Sequence, residues 1–184
     1  MVGYFASAYY FTLWPFPAKT IVNQEANHLA GWENYKYENY GLEFQLPEGW
    51  QQIKSEAPDE TLTKTLTFVP KSAEYGTRPY NQQLLIIIRE NPNNLSYEKL
   101  IGLEDRPDLV KDYYSGGDIM IGGKPAKLVY EYPEYKEDPI VTIQLDKRFI
   151  DIISPRENND FGRPPTFDTF LSTFKFFEPN QGTT

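Results

Sequence analysis

The stretch DIMIGGKPAKLVYEY, residues 118–132, decides the fold. Ile119 and Ile121 lead in on alternate positions, Gly122-Gly123 turns the chain, and Leu128, Tyr130 and Tyr132 lead out on alternate positions. Glycine accepts the positive φ that a tight hairpin turn demands, so the segment reads as two antiparallel strands around one turn. PIVTIQLDKRFIDIISP, 139–155, repeats the device with two strands around Asp146-Lys147. Hairpins in succession give an antiparallel sheet, whereas parallel strands would need long crossover connections.

The same reading extends upstream. YKYENYGLEFQLPEGW, 35–50, is a strand, a tight turn at Asn39-Tyr40-Gly41 and a second strand in which Leu42, Phe44 and Leu46 alternate with Glu43 and Gln45. Such alternation means one buried and one wet face. Pro47 ends the ladder for want of an amide hydrogen, and Gly49 permits the bend that aims Trp50 inward. TLTKTLTFVP, 61–70, is a strand rich in β-branched residues, and 71–83 is a loop. LLIIIRE, 84–90, is a continuous apolar run that fits a central strand covered on both faces.

Asn91-Pro92-Asn93-Asn94 breaks that run, and Ser96 stands as an N-cap before Tyr97-Glu98-Lys99, with Leu95, Leu100, Ile101 and Leu103 on an apolar side. RPDLVKDYYSGG, 106–117, offers a further helical turn stopped by glycines. Thr166 caps a last helix whose Phe167, Phe170, Leu171 and Phe174 form one stripe. Strands predominate, with one helix in the middle and one at the end, so the expected class is α+β with helices packed on the faces of a largely antiparallel sheet.

Composition sets outer limits. The 184 residues suit one domain, and 18 Lys+Arg against 26 Asp+Glu leave a formal charge of −8. That balance argues against a nucleic-acid partner, whose affinity comes mainly from cations neutralising phosphates. With 14 Tyr, 12 Phe and 3 Trp, the chain has ample apolar surface to bury. Cysteine is absent, which excludes thiolate catalysis, thiolate zinc sites and lipid attachment at a cysteine. His28 is the one histidine, so imidazole triads and multi-histidine metal sites have no partners.

Residues 1–18, MVGYFASAYYFTLWPFPA, carry no side-chain charge before Lys19. They are too short for a full span, and Pro15 and Pro17 interrupt their end. Tyr9, Tyr10, Phe11, Trp14 and Phe16 crowd there as interfacial aromatics do where a span leaves a bilayer. Two readings stand: the outer half of a signal anchor whose basic start lies upstream, or an aromatic arm folded onto the domain or onto another copy. Residues 19–34 read as a linker, 35–177 as the domain and 178–184 as a mobile tail.

The chemistry-bearing candidates are few. Gly122-Gly123-Lys124 lacks the spacing, hydroxyl residue and following helix of a phosphate loop, and reads as a hairpin turn. Glu131, Glu137 and Asp138, with Glu134, form an acidic connection that offers oxygen ligands to calcium, though without the alternating register and glycine of a calcium loop. A carboxylate pair there is the one catalytic alternative. Arg156 and Arg163 flank Asn159 and Asp160 in a turn-rich segment, where a guanidinium fork suits carboxylates. Trp32 and Tyr40, with Tyr35, Tyr37 and Trp50, could floor a groove by stacking, or serve as core and rim.

Three segments then suggest a family. Tyr40-Gly41-Leu42-Glu43-Phe44-Gln45-Leu46-Pro47-Glu48-Gly49-Trp50 resembles the opening of bacterial PsbP-like domains. Ile121-Gly122-Gly123-Lys124-Pro125-Ala126 is similar to their mid-domain hairpin, and Phe170-Leu171-Ser172-Thr173-Phe174-Lys175-Phe176 to their helix-to-strand close. The resemblance spans 35–177 and implies an α/β/α sandwich around an antiparallel sheet, at an extracytoplasmic site. Bacterial members are commonly lipoproteins or anchored surface proteins; the missing lipobox cysteine leaves the N-terminal anchor to do that work.

The leading expectation is a non-enzymatic, extracytoplasmic binding or assembly module that contacts a protein or cell-envelope component, with no cofactor assigned and a membrane tether through the N-terminal segment. The alternatives are a carboxylate-dependent hydrolase using 131–138 or 156–163, and an accessory subunit of photosystem II type that helps retain calcium, for which no ion-retaining residue can be carried over. A nuclear transport factor that shares the sandwich fold and binds a small GTPase is a further one, and the alternative location is cytoplasmic.

Overall fold

A computed structural model describes residues 19–20, 29–53, 63–72, 83–100, 117–132, 137–155 and 166–179. Its strands are β1 (Lys19–Thr20), β2 (Trp32–Tyr37), β3 (Leu42–Pro47), β4 (Trp50–Ile53), β5 (Thr63–Pro70), β6 (Leu84–Glu90), β7 (Gly117–Ile121), β8 (Lys124–Tyr132), β9 (Glu137–Leu145), β10 (Arg148–Ile153) and β11 (Lys175–Phe176). Two α-helices accompany them among the described residues, α1 (Tyr97–Leu100) and α2 (Thr166–Ser172).

The hairpins fall where the turn residues put them. Gly122 and Gly123, at φ 54° and 74°, join β7 to β8, and Asp146-Lys147 joins β9 to β10. An eight-stranded sheet results, in the order β1-β7-β8-β9-β10-β6-β5-β4. Its pairings are antiparallel except β1 with β7. The class is therefore α+β with a largely antiparallel central sheet, as the patterning requires.

Strands β2 and β3 do not join that sheet. With β11 they form a separate three-stranded sheet, β11-β3-β2, and their turn is one 3-10 turn, Glu38–Tyr40, closed by Gly41 in the left-handed region. Period-two alternation dictates that Leu42, Phe44 and Leu46 be buried, but not against what. They face the large sheet across one core with Leu84, Ile86 and Ile88 of β6, Val141 and Ile143 of β9, Ile150 and Ile152 of β10, and Phe167, Phe170, Leu171 and Phe174. At its centre the Phe44 ring meets Tyr35, Tyr37, Phe68, Phe170 and Phe174 at centroid separations of 5.8, 6.0, 5.6, 5.9 and 5.1 Å.

The C-terminal strand closes the small sheet along a seam where all three quoted segments meet. Gly41 carries φ 61°, and a Cβ on it would run into the carbonyl oxygen of Phe177. A Cβ on Gly122 would lie 2.8 Å from both the Phe174 carbonyl oxygen and the Phe176 ring. Glycine at both positions lets residues 174–177 pass close by. Beyond the end of β11, the Thr173 hydroxyl accepts the Gln45 amide hydrogen at 3.0 Å, in place of a missing strand partner.

Strand β6 is internal, between β10 and β5, with Leu84, Ile86 and Ile88 buried on the core face and Leu85 and Ile87 half-buried on the other. The small sheet and α2 cover the core face, and the other buries Val129, Phe149 and Tyr97 near a polar group, Asp151. Within 19–34, read as a linker, Lys19–Thr20 pairs with β7 and Trp32–Asn34 belongs to β2. The pairing is backbone-mediated and leaves no apolar period to read. Of the helical turn expected at 106–117, residues 106–116 lie outside the described residues, and Gly117 opens β7.

Candidate functional site

The second face of the large sheet holds a polar cluster. Because Ile88, Ile143 and Ile150 point to the core, their strand neighbours point away from it. The register sets Gln144, Phe149, Arg89 and Thr63 in one row, and Thr142, Asp151, Ile87 and Thr65 in the next. Asp151 is 3% exposed and Thr142 5% exposed. A carboxylate so placed needs donors to replace water. Arg89 Nε donates to Oδ2 at 2.9 Å, while Tyr97 Oη and Thr142 Oγ1 donate to Oδ1 at 3.0 and 2.8 Å.

Tyr97 arrives there through a built turn. Asn91, 3% exposed, donates its amide hydrogen to the Lys147 carbonyl at 2.7 Å. Its side chain accepts from the Leu95 amide at 2.9 Å and donates to the Leu95 carbonyl at 2.8 Å. Ser96 then caps α1, its Oγ accepting from the Lys99 amide at 3.2 Å as the sequence leads one to expect. The Tyr97 ring packs edge-on to Phe149 at 5.2 Å. Arg89 is oriented by this assembly, yet 35% of its side chain is exposed, and its two terminal nitrogens bond to no described residue.

Of the binding candidates named from the sequence, Trp32 and Tyr40 are described, and the structure does not bring them together. Trp32 opens β2 and Tyr40 ends the 3-10 turn that follows it, both partly buried against the core. The Tyr40 carbonyl accepts from Arg148 Nη1 at 2.8 Å. Tyr35 and Tyr37 stack on Phe44, and Trp50 is 5% exposed, so these aromatics serve as core and rim. Burial pushes the Tyr37 phenol well above its ordinary value, with the Tyr35 charge adding to it; its hydroxyl donates to Gln52 Oε1 at 2.9 Å. The hydrogen bond from Lys71, at 2.9 Å, holds the Glu33 carboxyl below its usual range. Tyr35, donating to Glu33 at 3.2 Å, is raised first by burial and then by that neighbour's charge. Lys36 is raised by its hydrogen bond to Glu38.

The acidic candidates lie on strands, Glu131 on β8 and Glu137 and Asp138 on β9, with Tyr132 opposite Glu137. Their side chains lie outside the described residues, as do Arg156, Asn159, Asp160 and Arg163 entirely. Sequence reasoning missed Asp151 and Arg89. A signal existed: each is a charged residue at the outward phase of an otherwise apolar strand, FIDII and LLIIIRE.

The class that this architecture defines is an α+β fold in which a small sheet and a helix pack on one face of a large, largely antiparallel sheet. No protein-family model matches the chain, nor does any curated protein. Among solved structures it is similar to cyanobacterial PsbP (CyanoP) from Synechocystis sp. PCC 6803, with 18% identity and a TM-score of 0.49 over 81% of this chain and 94% of that one. It is also similar to a mutant form of the Mog1 protein, with 14% identity and a TM-score of 0.41 over 78% of this chain and 96% of that one. Both likenesses concern the fold alone.

Proposed function

We propose that the protein is a non-enzymatic binding or assembly module that engages a protein or cell-envelope component through the face of the large sheet bearing Arg89. One observation carries the reading. The buried carboxylate of that face, Asp151, has both oxygens occupied by three donors of its own scaffold. A general base has to reach a substrate proton. This one, with 5% of its side chain exposed, instead holds a guanidinium facing outward.

The proposed location is outside the cytoplasmic membrane, tethered through residues 1–18. What supports it is the uncharged, aromatic-rich composition of that segment. Among the described residues, no helix is long and apolar enough to cross a membrane.

Photo-crosslinking tests the binding face. Gln144 is exposed on the Arg89 row, and Asn34 is exposed on the small sheet. A photoreactive residue at position 144, in the native host, is expected to give a discrete adduct that position 34 does not. Equal labelling from both positions, or none from 144, would remove the proposal.

A further inference from the structure

We infer that Arg89 is a carboxylate-recognition site, taking an acidic side chain or C-terminal carboxylate of a partner polypeptide; this rests on the binding-module reading and names its chemistry. The guanidinium is aimed before any ligand arrives. Its Nε is tied to Asp151, which Tyr97 and Thr142 hold from the other side. A side chain already fixed loses little rotamer freedom on binding. The terminal nitrogens, unbonded to any described residue, present two parallel N–H groups that match the two oxygens of a carboxylate.

The surroundings add a third donor. Thr63 is the cross-strand partner of Arg89 on the same face, so their Cβ atoms lie about 5 Å apart. The Thr63 hydroxyl bonds to no described residue. Thr65 and Ile87 in the adjoining row are half-buried, so the donors work in an environment less polar than open water.

Charge selects the anion. Arg89 is already ion-paired to Asp151, and the chain carries a net charge of −8. A phosphate dianion would meet a single, partly neutralised cation against an acidic field, whereas a monoanionic carboxylate asks only for one fork and one hydroxyl.

The test is a titration of the full chain with sodium acetate, sodium phosphate and sodium chloride at matched ionic strength, followed by the Nε–H resonance of Arg89 and the amide of Thr63. Acetate is expected to shift both saturably and chloride only linearly. Thr63→Val, which leaves the Arg89–Asp151 pair intact, should weaken acetate binding at least threefold, and Arg89→Lys should abolish saturation. An acetate response no larger than that of chloride overturns the proposal. Saturation by phosphate at lower concentration than acetate also overturns it, in favour of a phosphorylated partner or lipid headgroup. Self-association that Arg89→Lys removes would replace the partner with a second copy. Acetate needs no partner and crosslinking needs no anion, so a 144 adduct without acetate binding defeats this site alone, and the converse defeats only the module reading.

Discussion

Asp151 lies on the face of β10 turned away from the Phe44 core, beside Phe149, and is buried there. Its burial is tolerable because three donors replace the lost water, one of them charged. Removing the carboxylate strands all three. Breaking a buried pair costs about 3–5 kcal/mol, and the partial exposure of Arg89 puts Asp151→Ala near the lower end of that range. Asp151→Asn keeps an acceptor for Tyr97 and Thr142 and loses the charge, so it should cost about 1–2 kcal/mol. Urea unfolding of both variants checks this, and equal losses would show that the ion pair, not the hydroxyl bonds, dominates. Little of this could be read from the sequence. FIDII shows that an aspartate interrupts an apolar strand, but its donors come from positions 89, 97 and 142, and register alone brings them together.

At the scale of elements, the Gly122-Gly123 turn separates two demands that the sequence merges. Both residues have positive φ, but Gly123 faces open space while Gly122 faces Phe174 and Phe176. Gly123→Asn, a residue that tolerates the left-handed region, should change stability by less than about 1 kcal/mol. Gly122→Ala combines left-handed strain of about 1–2 kcal/mol with crowding of a packed neighbour worth about 1–3 kcal/mol, so a loss of about 2–5 kcal/mol is expected. Thermal or urea midpoints compare the two, and a Gly122→Ala loss no greater than that of Gly123→Asn would contradict the seam. The hairpin itself was legible because turn chemistry is local. Strand β4 was not: Gln51 and Gln52 are exposed and give no apolar period, and only pairing with β5 makes Trp50–Ile53 a strand. Nor could alternation in 42–46 tell a separate sheet from an extra strand of the main one.

For the whole molecule, the question is whether two sheets that share no strand behave as one body. Polar links between them exist, but they are small: the exposed Lys71–Glu33 ion pair contributes only about 0–1 kcal/mol, and the hydrogen bonds from Tyr37 to Gln52 and from Arg148 to the Tyr40 carbonyl about 0.5–1.5 kcal/mol each. The ring cluster outweighs them. Burying an aromatic side chain contributes about 1.5–3 kcal/mol, each ring pair adds about 0.5–1.5 kcal/mol, and Phe44 joins five other rings drawn from β2, β5, α2 and the segment after it. Small sheet, large sheet and terminal helix should therefore unfold in one transition. Tryptophan reports on both sheets, Trp32 from β2 and Trp50 from β4. In a Trp14→Phe background, Trp32→Phe and Trp50→Phe leave one reporter in each sheet, and their denaturant midpoints, each corrected by a common circular-dichroism signal, should coincide. Phe44→Leu should lower both by the same amount, about 1–3 kcal/mol. A β2 signal lost ahead of the β4 signal would mean that the ring cluster does not couple the layers, and that the small sheet opens as a unit of its own.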